Sequence, residues 1–196
     1  LHFHWAAFDN PLTPGHRYLE HEAFRELAQE GFFGASSLST DAMGGLLFDL
    51  GYGLFPLTPV LFLAFIGFPA LLARRETRID ALFALAIPVG TWLLICFMNN
   101  WRGGWTVGPR YLAVAVPFLA WGALEGGTQL SRAIPRMAAS IAGGAAAAGF
   151  IASGGPSAWY PHLPEAFTRP IPQLIRLLVR HDYAPMNAGS WLSDTL

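Results

Sequence analysis

"ALFALAIPVGTWLLICFM", residues 81 to 98, holds no charged side chain and only one hydroxyl, that of Thr91. At ~1.5 Å per residue a helix of this length approaches the ~30 Å of a bilayer hydrocarbon core. Pro88 and Gly90 would weaken the helix in water. In a membrane span they are tolerated, because neighbouring helices re-satisfy the backbone. The stretch therefore reads as a transmembrane helix, and its neighbours fall into place around it.

Upstream, "GYGLFPLTPVLFLAFIGFPALLA" (51–73) is long enough to span. Downstream, "YLAVAVPFLAWGAL" (111–124) is shorter but lengthens through "EGGTQL", and it reads as a third span. A fourth, "MAASIAGGAAAAGFIAS" (137–153), is only weakly hydrophobic but uncharged. Its small residues would let helix backbones approach closely in lipid, so it is expected to pack against neighbours. Prolines 59, 69 and 117 also fall in these stretches.

Composition agrees. Hydrophobic residues make up 53% and charged residues 13% of the 196, against about 25% charged in a soluble domain. Mean hydropathy is +0.38. Net charge is −1, which offers nucleic acid nothing. All twelve cationic residues are arginine, and with the Ala and Gly richness this suggests a high-GC genome. One cysteine, Cys96, excludes a disulfide framework or a cysteine metal site. The sequence starts at Leu1 without a basic stretch before an apolar core, and it reads as a piece of something longer.

The expected fold is thus all-α: a polytopic membrane protein of about four transmembrane helices, with extracytoplasmic loops and interfacial amphipathic helices. Residues 1–50 would form an extracytoplasmic loop region, 51–153 the four-helix transmembrane region, and 154–196 an extracytoplasmic tail. Arginine placement sets the orientation. "RRETRID" (74–80) carries three and "SRAIPR" (131–136) two, so both loops are assigned to the cytoplasm. "NNWRGGWTVGPRY" (99–111) then lies outside despite its two arginines, and cations kept on the disfavoured side ask for a reason. "LEHEAFRELAQEG" (19–31) and "IPQLIRLLVRH" (171–181) carry apolar residues at helical spacing and read as helices lying on the interface. Gly31 is the expected stop of the first. Ile171, Leu174, Ile175 and Leu178 form the apolar face of the second, with Pro172 near its start.

In "NNWRGGWTVGPRY", Gly103, Gly104 and Gly108 permit tight turns and Pro109 restricts the residue before it. Arg110 would open the next helix at interface depth. A guanidinium there can hold a phosphate through two parallel hydrogen bonds, and free N–H groups of the helix start would add to the same anion pocket. Trp101 and Trp105 would stack on a sugar ring or a lipid tail. The plainer alternative is an aromatic belt with snorkelling arginines.

A second cluster is "FDNPLTPGHRY" (8–18), where Asp9, Asn10, His16 and Arg17 project from a turn-rich loop; an ordinary Asx-type turn with solvated charges is the competing reading. Asp41 and Asp49, flanking "AMGGLLF", and Glu165 in the tail read as caps or surface charges. The six histidines show no metal-ligand spacing, and no P-loop, nucleophilic triad or CxxC is present. All four stretches lack interior charge, which counts against a transporter, whose sites favour ionisable groups at the midplane.

The order of three motifs, "FDNPLTPGHRY", "GFFGASSLSTDAMGGLLFDLGYGLFPLTPVL" and "NNWRGGWTVGPRYLAVAVPFLA", resembles bacterial GT-C membrane glycosyltransferases of the family 39 and protein O-mannosyltransferase type. The tail "YPHLPEAFTRPIPQLI" is similar to the outer segment that closes many such chains. The resemblance implies transfer of a sugar from a polyprenyl-phosphate donor to a glycan, lipid or protein acceptor. The reaction would occur at the outer face of the bacterial cytoplasmic membrane, with membrane lipid as the surroundings. It also implies a catalytic acid in an upstream loop outside this chain, so no catalytic residue is assigned here. Some members need a divalent cation. On this sequence the resemblance points to Arg102 and Arg110 as ligands of the carrier phosphate. Trp101, Trp105 and Tyr111 would wall the site, and Asp9, Asn10 and His16 would make loop contacts. Asp9 stands where relatives often have glycine. A non-catalytic or transporter-like membrane protein is the competing class.

Overall fold

A computed structural model describes residues 2–9, 20, 22, 25–26, 31, 34–103, 106–160 and 170–181. These are mostly helical, with no strand among them beyond a single antiparallel bridge between Ala35 and Met98. The helices are α1 (His2–Phe8), α2 (Thr40–Phe48), α3 (Leu54–Leu57), α4 (Ala64–Ala73), α5 (Arg78–Cys96), α6 (Val116–Ala133), α7 (Pro135–Gly149), α8 (Gly155–Trp159) and α9 (Pro170–His181). Tight 3₁₀ turns lead into α4 (Pro59–Leu63) and α6 (Arg110–Ala115), and a π turn (Phe150–Gly154) joins α7 to α8.

The first expected span, 51–73, is divided rather than continuous. Gly53 and Pro59 bracket the four-residue α3, and the chain re-forms through the 3₁₀ turn into α4. Pro59 lacks an N–H, so a single helix cannot run through this point without losing a ladder bond. The second span matches α5 closely. The third is longer than its apolar core, running through Glu125 and Arg132 to Ala133. The fourth continues through the π turn. Two helices are long and apolar enough to cross a membrane, Arg78–Cys96 and the continuous run Pro135–Ala158.

Neither resembles the core helix of a soluble protein, since only 28% and 11% of their apolar windows are buried. Ile79, Leu82, Phe83, Ile87, Val89, Leu93 and Leu94 of α5 all face outward, as do Phe62, Phe65, Ile66, Val114 and Leu124 on neighbouring elements. Soluble monomers rarely expose contiguous apolar patches beyond a few hundred Å². So many outward apolar side chains suit hydrocarbon.

The core sits where α4 and α6 cross, and glycines make that crossing. A Cβ on Gly67 would lie 1.8 Å from the Gly122 carbonyl oxygen, and one on Gly126 1.9 Å from that of Leu63. The two backbones touch, which is how small residues spaced four apart hold helices together in lipid. Phe68 fills the space over Gly122, and Leu61, Leu71, Leu112, Leu119 and Ala123 pack around it. At one end of the pair Arg74 and Gln129 both donate to the Glu125 carboxylate. There the Thr77 hydroxyl and Arg78 Nε donate to the carbonyls of Leu71 (2.7 Å) and Leu72 (2.9 Å) at the end of α4, where Leu71 also accepts the Arg74 N–H (3.3 Å).

The fourth stretch departs from expectation. It forms α7, but its glycine face is not packed: a Cβ on Gly143 or Gly144 would meet nothing within 4 Å. Ala146, Ala147 and Ala148 are exposed, and contact is concentrated at Ala138, Ala142 and Gly149. Small side chains permit close approach, but they bring no apolar surface that would draw a helix in.

α2 is an element that reading 1–50 as loop overlooked. Ser39 caps it by accepting the Ala42 N–H at 3.2 Å. Its Ala42 and Leu46 are fully buried in the core, and the Trp92 indole N–H donates to the Met43 carbonyl at 3.2 Å, tying α2 to α5. In the expected helix 19–31, Glu22, Arg25 and Glu26 are helical, and Gly31 has φ +68°. Its other residues lie outside the described ones, apart from Glu20, which forms a bend. α9 starts at Pro170; Leu174 is buried, while Ile175 and Val179 are exposed.

Candidate functional site

The segment after α5 is fixed by its neighbour in space. The Asn99 N–H donates to the Gly34 carbonyl (2.8 Å), Ser36 N–H to Phe97 (2.9 Å) and Ser39 N–H to Cys96 (2.9 Å). The Ser36 hydroxyl adds a bond to the Asn99 side chain. This short stitch runs directly into the cap of α2, so α2 and the loop beginning at Asn99 are positioned together.

From there the chain turns sharply. Gly103 N–H donates to the Asn100 carbonyl (3.1 Å), and Gly103 has φ +74°, a left-handed conformation glycine adopts without penalty. Gly108, with φ +77°, makes a second such turn. A Cβ there would also press on Leu57 at 2.9 Å. Gly104 and Trp105 lie outside the described residues.

Trp101 rests its indole edge on α2 at Gly45, where a Cβ would stand 2.8 Å from it. The Arg102 guanidinium carbon sits 5.1 Å from the Trp101 ring and 5.5 Å from that of Tyr52, both within cation–π range. The two rings meet edge to face at 6.0 Å, and the Tyr52 hydroxyl donates to the Arg102 carbonyl. Arg102 is thus held by aromatic faces and by its own backbone, with its guanidinium unpaired by any acid among the described residues.

Beside it opens a depression of about 620 Å³, lined by Thr40, Asp41, Gly44, Gly45, Phe48 and Asp49 of α2 and its C-cap, with Trp101 and Arg102. Asp49 accepts the Gly51 N–H at 2.8 Å, as its cap reading anticipated. Asp41 lies in the first turn of α2, where the helix dipole favours a carboxylate.

Arg110 is elsewhere. It is exposed, its guanidinium carbon 5.3 Å from the Tyr111 ring, and its Nε faces Gly103. The two arginines therefore stand on either side of the Gly103 turn, each against an aromatic face. The expected ring of free N–H groups at Arg110 is not formed: a 3₁₀ turn begins there, the Arg110 N–H donates to Gly108 (3.0 Å) and Leu112 N–H to Pro109 (2.8 Å). Any anion binding at Arg110 falls to the guanidinium.

Of Asp9, Asn10, His16 and Arg17 in the second cluster, Asp9 alone is among the described residues. Asp9 is exposed at the end of α1 with φ +54°, its N–H on the Trp5 carbonyl at 2.9 Å, a helix-ending position that Asp tolerates. Asn10 and His16 lie outside the described residues. No three potential metal ligands gather among the described residues. What residue-by-residue reading missed was that Asp41, Asp49 and Arg102 line one depression. The available signal was the place of the two acids at the ends of one short helix, Asp41 in its first turn and Asp49 at its C-cap.

Comparison of the chain with protein-family models, with curated proteins and with solved structures finds no match.

Proposed function

We propose that this chain is part of a multi-pass membrane glycosyltransferase of the bacterial cytoplasmic membrane. It would move a sugar from a polyprenyl-phosphate carrier to an acceptor at the outer face. The four apolar stretches cross the membrane, the Arg74–Asp80 and Ser131–Arg136 loops face the cytoplasm, and the 99–111 loop faces out. The observation that carries this reading is the pair of arginines, each laid on an aromatic ring and standing on either side of Gly103. They sit at the end of α5, a helix with an outward apolar band.

The phosphate is the leaving group when the sugar–oxygen bond breaks, and its developing charge needs a preorganised cation. Losing one such donor costs about 2.7–4 kcal/mol of transition-state stabilisation. Arg110, exposed beside the turn, is the principal phosphate ligand, and Arg102 approaches the same group from the other side. Trp101 and Tyr111 supply the walls. The catalytic acid comes from the upstream part of the full-length protein.

The test is binding of a short-chain polyprenyl phosphate to the full-length protein in detergent, comparing wild type with Arg102→Ala and Arg110→Ala. Loss of binding in Arg110→Ala, with normal abundance and monodispersity, is the expected result. Equal binding by all three proteins would reduce the loop to an aromatic-belt turn.

A further inference from the structure

We infer that the depression between α2 and Arg102 is a saccharide subsite: an uncharged, hydroxyl-rich ring binds there, held by Asp41, Asp49 and Arg102 and laid against Trp101. This rests on the sugar-transfer reading of the same loop and divides the ligand between its two arginines. Charge decides the division. The depression carries two carboxylates against one guanidinium, so a phosphate placed in it would meet net repulsion. Arg110 does not line it and is left to face the anion.

The lining chemistry fits a sugar. An ionised carboxylate accepts hydrogen bonds from vicinal hydroxyls, and charge-assisted bonds of this type are about twice as strong as neutral ones. The Asp41 carboxylate and the Arg102 guanidinium make no hydrogen bond among the described residues. Asp49 is oriented through the Gly51 N–H on its Oδ1, leaving its other oxygen to a ligand. The indole offers a flat apolar surface for the C–H face of a ring, and Gly44, where an added Cβ would meet nothing within 4 Å, keeps the α2 side of the depression open. The volume lies within the ~300–1,000 Å³ typical of small-molecule sites. Arg102, at the border, serves sugar hydroxyls with one edge and the phosphate with the other.

The experiment uses full-length protein in detergent and three probes: a bare short-chain polyprenyl phosphate, the same carrier bearing mannose, and a panel of free methyl glycosides. Asp41→Asn and Asp49→Asn, alone and combined, are near-isosteric, and Asn at 49 keeps the oxygen that accepts Gly51 N–H. Wild type should bind the sugar-bearing carrier more tightly than the bare one. The double variant should lose about tenfold or more for the sugar-bearing carrier, while its affinity for the bare carrier holds or rises. Equal affinity of wild type for both carriers, or an equal loss for both in the double variant, would overturn the subsite. Should neither carrier bind wild type, the carrier reading fails by itself. Glycoside binding that the double variant weakens would then still sustain the subsite, and absence of glycoside binding would end it.

Discussion

Two helix faces in this chain are built from the same small residues and behave oppositely. Where α4 meets α6, Gly67, Gly122 and Gly126 bring backbones into contact, and no added carbon fits. Along α7, Gly143 and Gly144 sit in an alanine-rich run and face open space. The difference lies in what surrounds the glycines. At the first site Phe68, Leu63 and Leu71 flank them and interlock with Leu119 and Ala123. On α7 the neighbours are alanines, which offer little dispersion to a partner. Glycine permits contact; large neighbours make it favourable.

The sharpest way to break this contrast is at Gly67 and Gly126. A methyl at either meets backbone atoms below 2 Å, and backbone cannot rotate aside as a side chain can. Gly67→Ala and Gly126→Ala should each destabilise by about 3 kcal/mol or more, at or above the usual overpacking range. The expected readout is loss of the monodisperse species in detergent and earlier unfolding on titration with denaturing detergent. A wild-type curve for both would mean that α4 and α6 do not touch.

This crossing also shows how far the sequence could be read. The α5 helix was legible because uninterrupted apolarity over 81–98 has one main solution, and the all-α class followed from it. The division of 51–73 was less so: Pro59 and Pro69 look alike in sequence, yet Pro69 is carried inside α4 while Pro59 opens a 3₁₀ turn. Which proline breaks a helix depends on what re-satisfies the backbone nearby, a tertiary fact. The small-residue contact was anticipated for 137–153 and occurs at 67, 122 and 126, because composition gives the capacity for contact but not its partner. In the site, the glycine turns at 103 and 108 followed from residue type. That Asp41, Asp49 and Arg102 line one depression depends on the pairing of 34–39 with the end of α5, which no local pattern announces.

Next in size is the core face of α2. Leu46 is fully buried, and Leu46→Ala should cost about 2–5 kcal/mol through lost burial and the cavity left behind. Because α2 carries one wall of the depression, this variant should also lose ligand binding along with stability, which parallel unfolding and binding titrations will show. Smaller again is the ion pair closing the α4–α6 crossing. Arg74 is 42% and Glu125 14% exposed, so solvent and salt weaken it. Arg74→Ala or Glu125→Gln should cost about 1 kcal/mol, less at high salt. A loss matching that of Gly67→Ala would shift the main grip of the two helices from the glycines to the charges.

The smallest effect, and the one that sharpens the contrast most, is at Gly143 and Gly144. With no atom near the added carbon, Gly→Ala here relieves the entropic cost of glycine in a helix and should stabilise α7 by about 0.5–1 kcal/mol per site. The same substitution would then be ruinous at 67 and 126 and favourable at 143 and 144, in one chain and one solvent. The comparison is best made in full-length protein, by unfolding titration of each single variant. Destabilisation at 143 and 144 approaching that at 67 would show that another helix lies on this face. Its position would follow from which glycine suffers more, since the two point about 100° apart around α7.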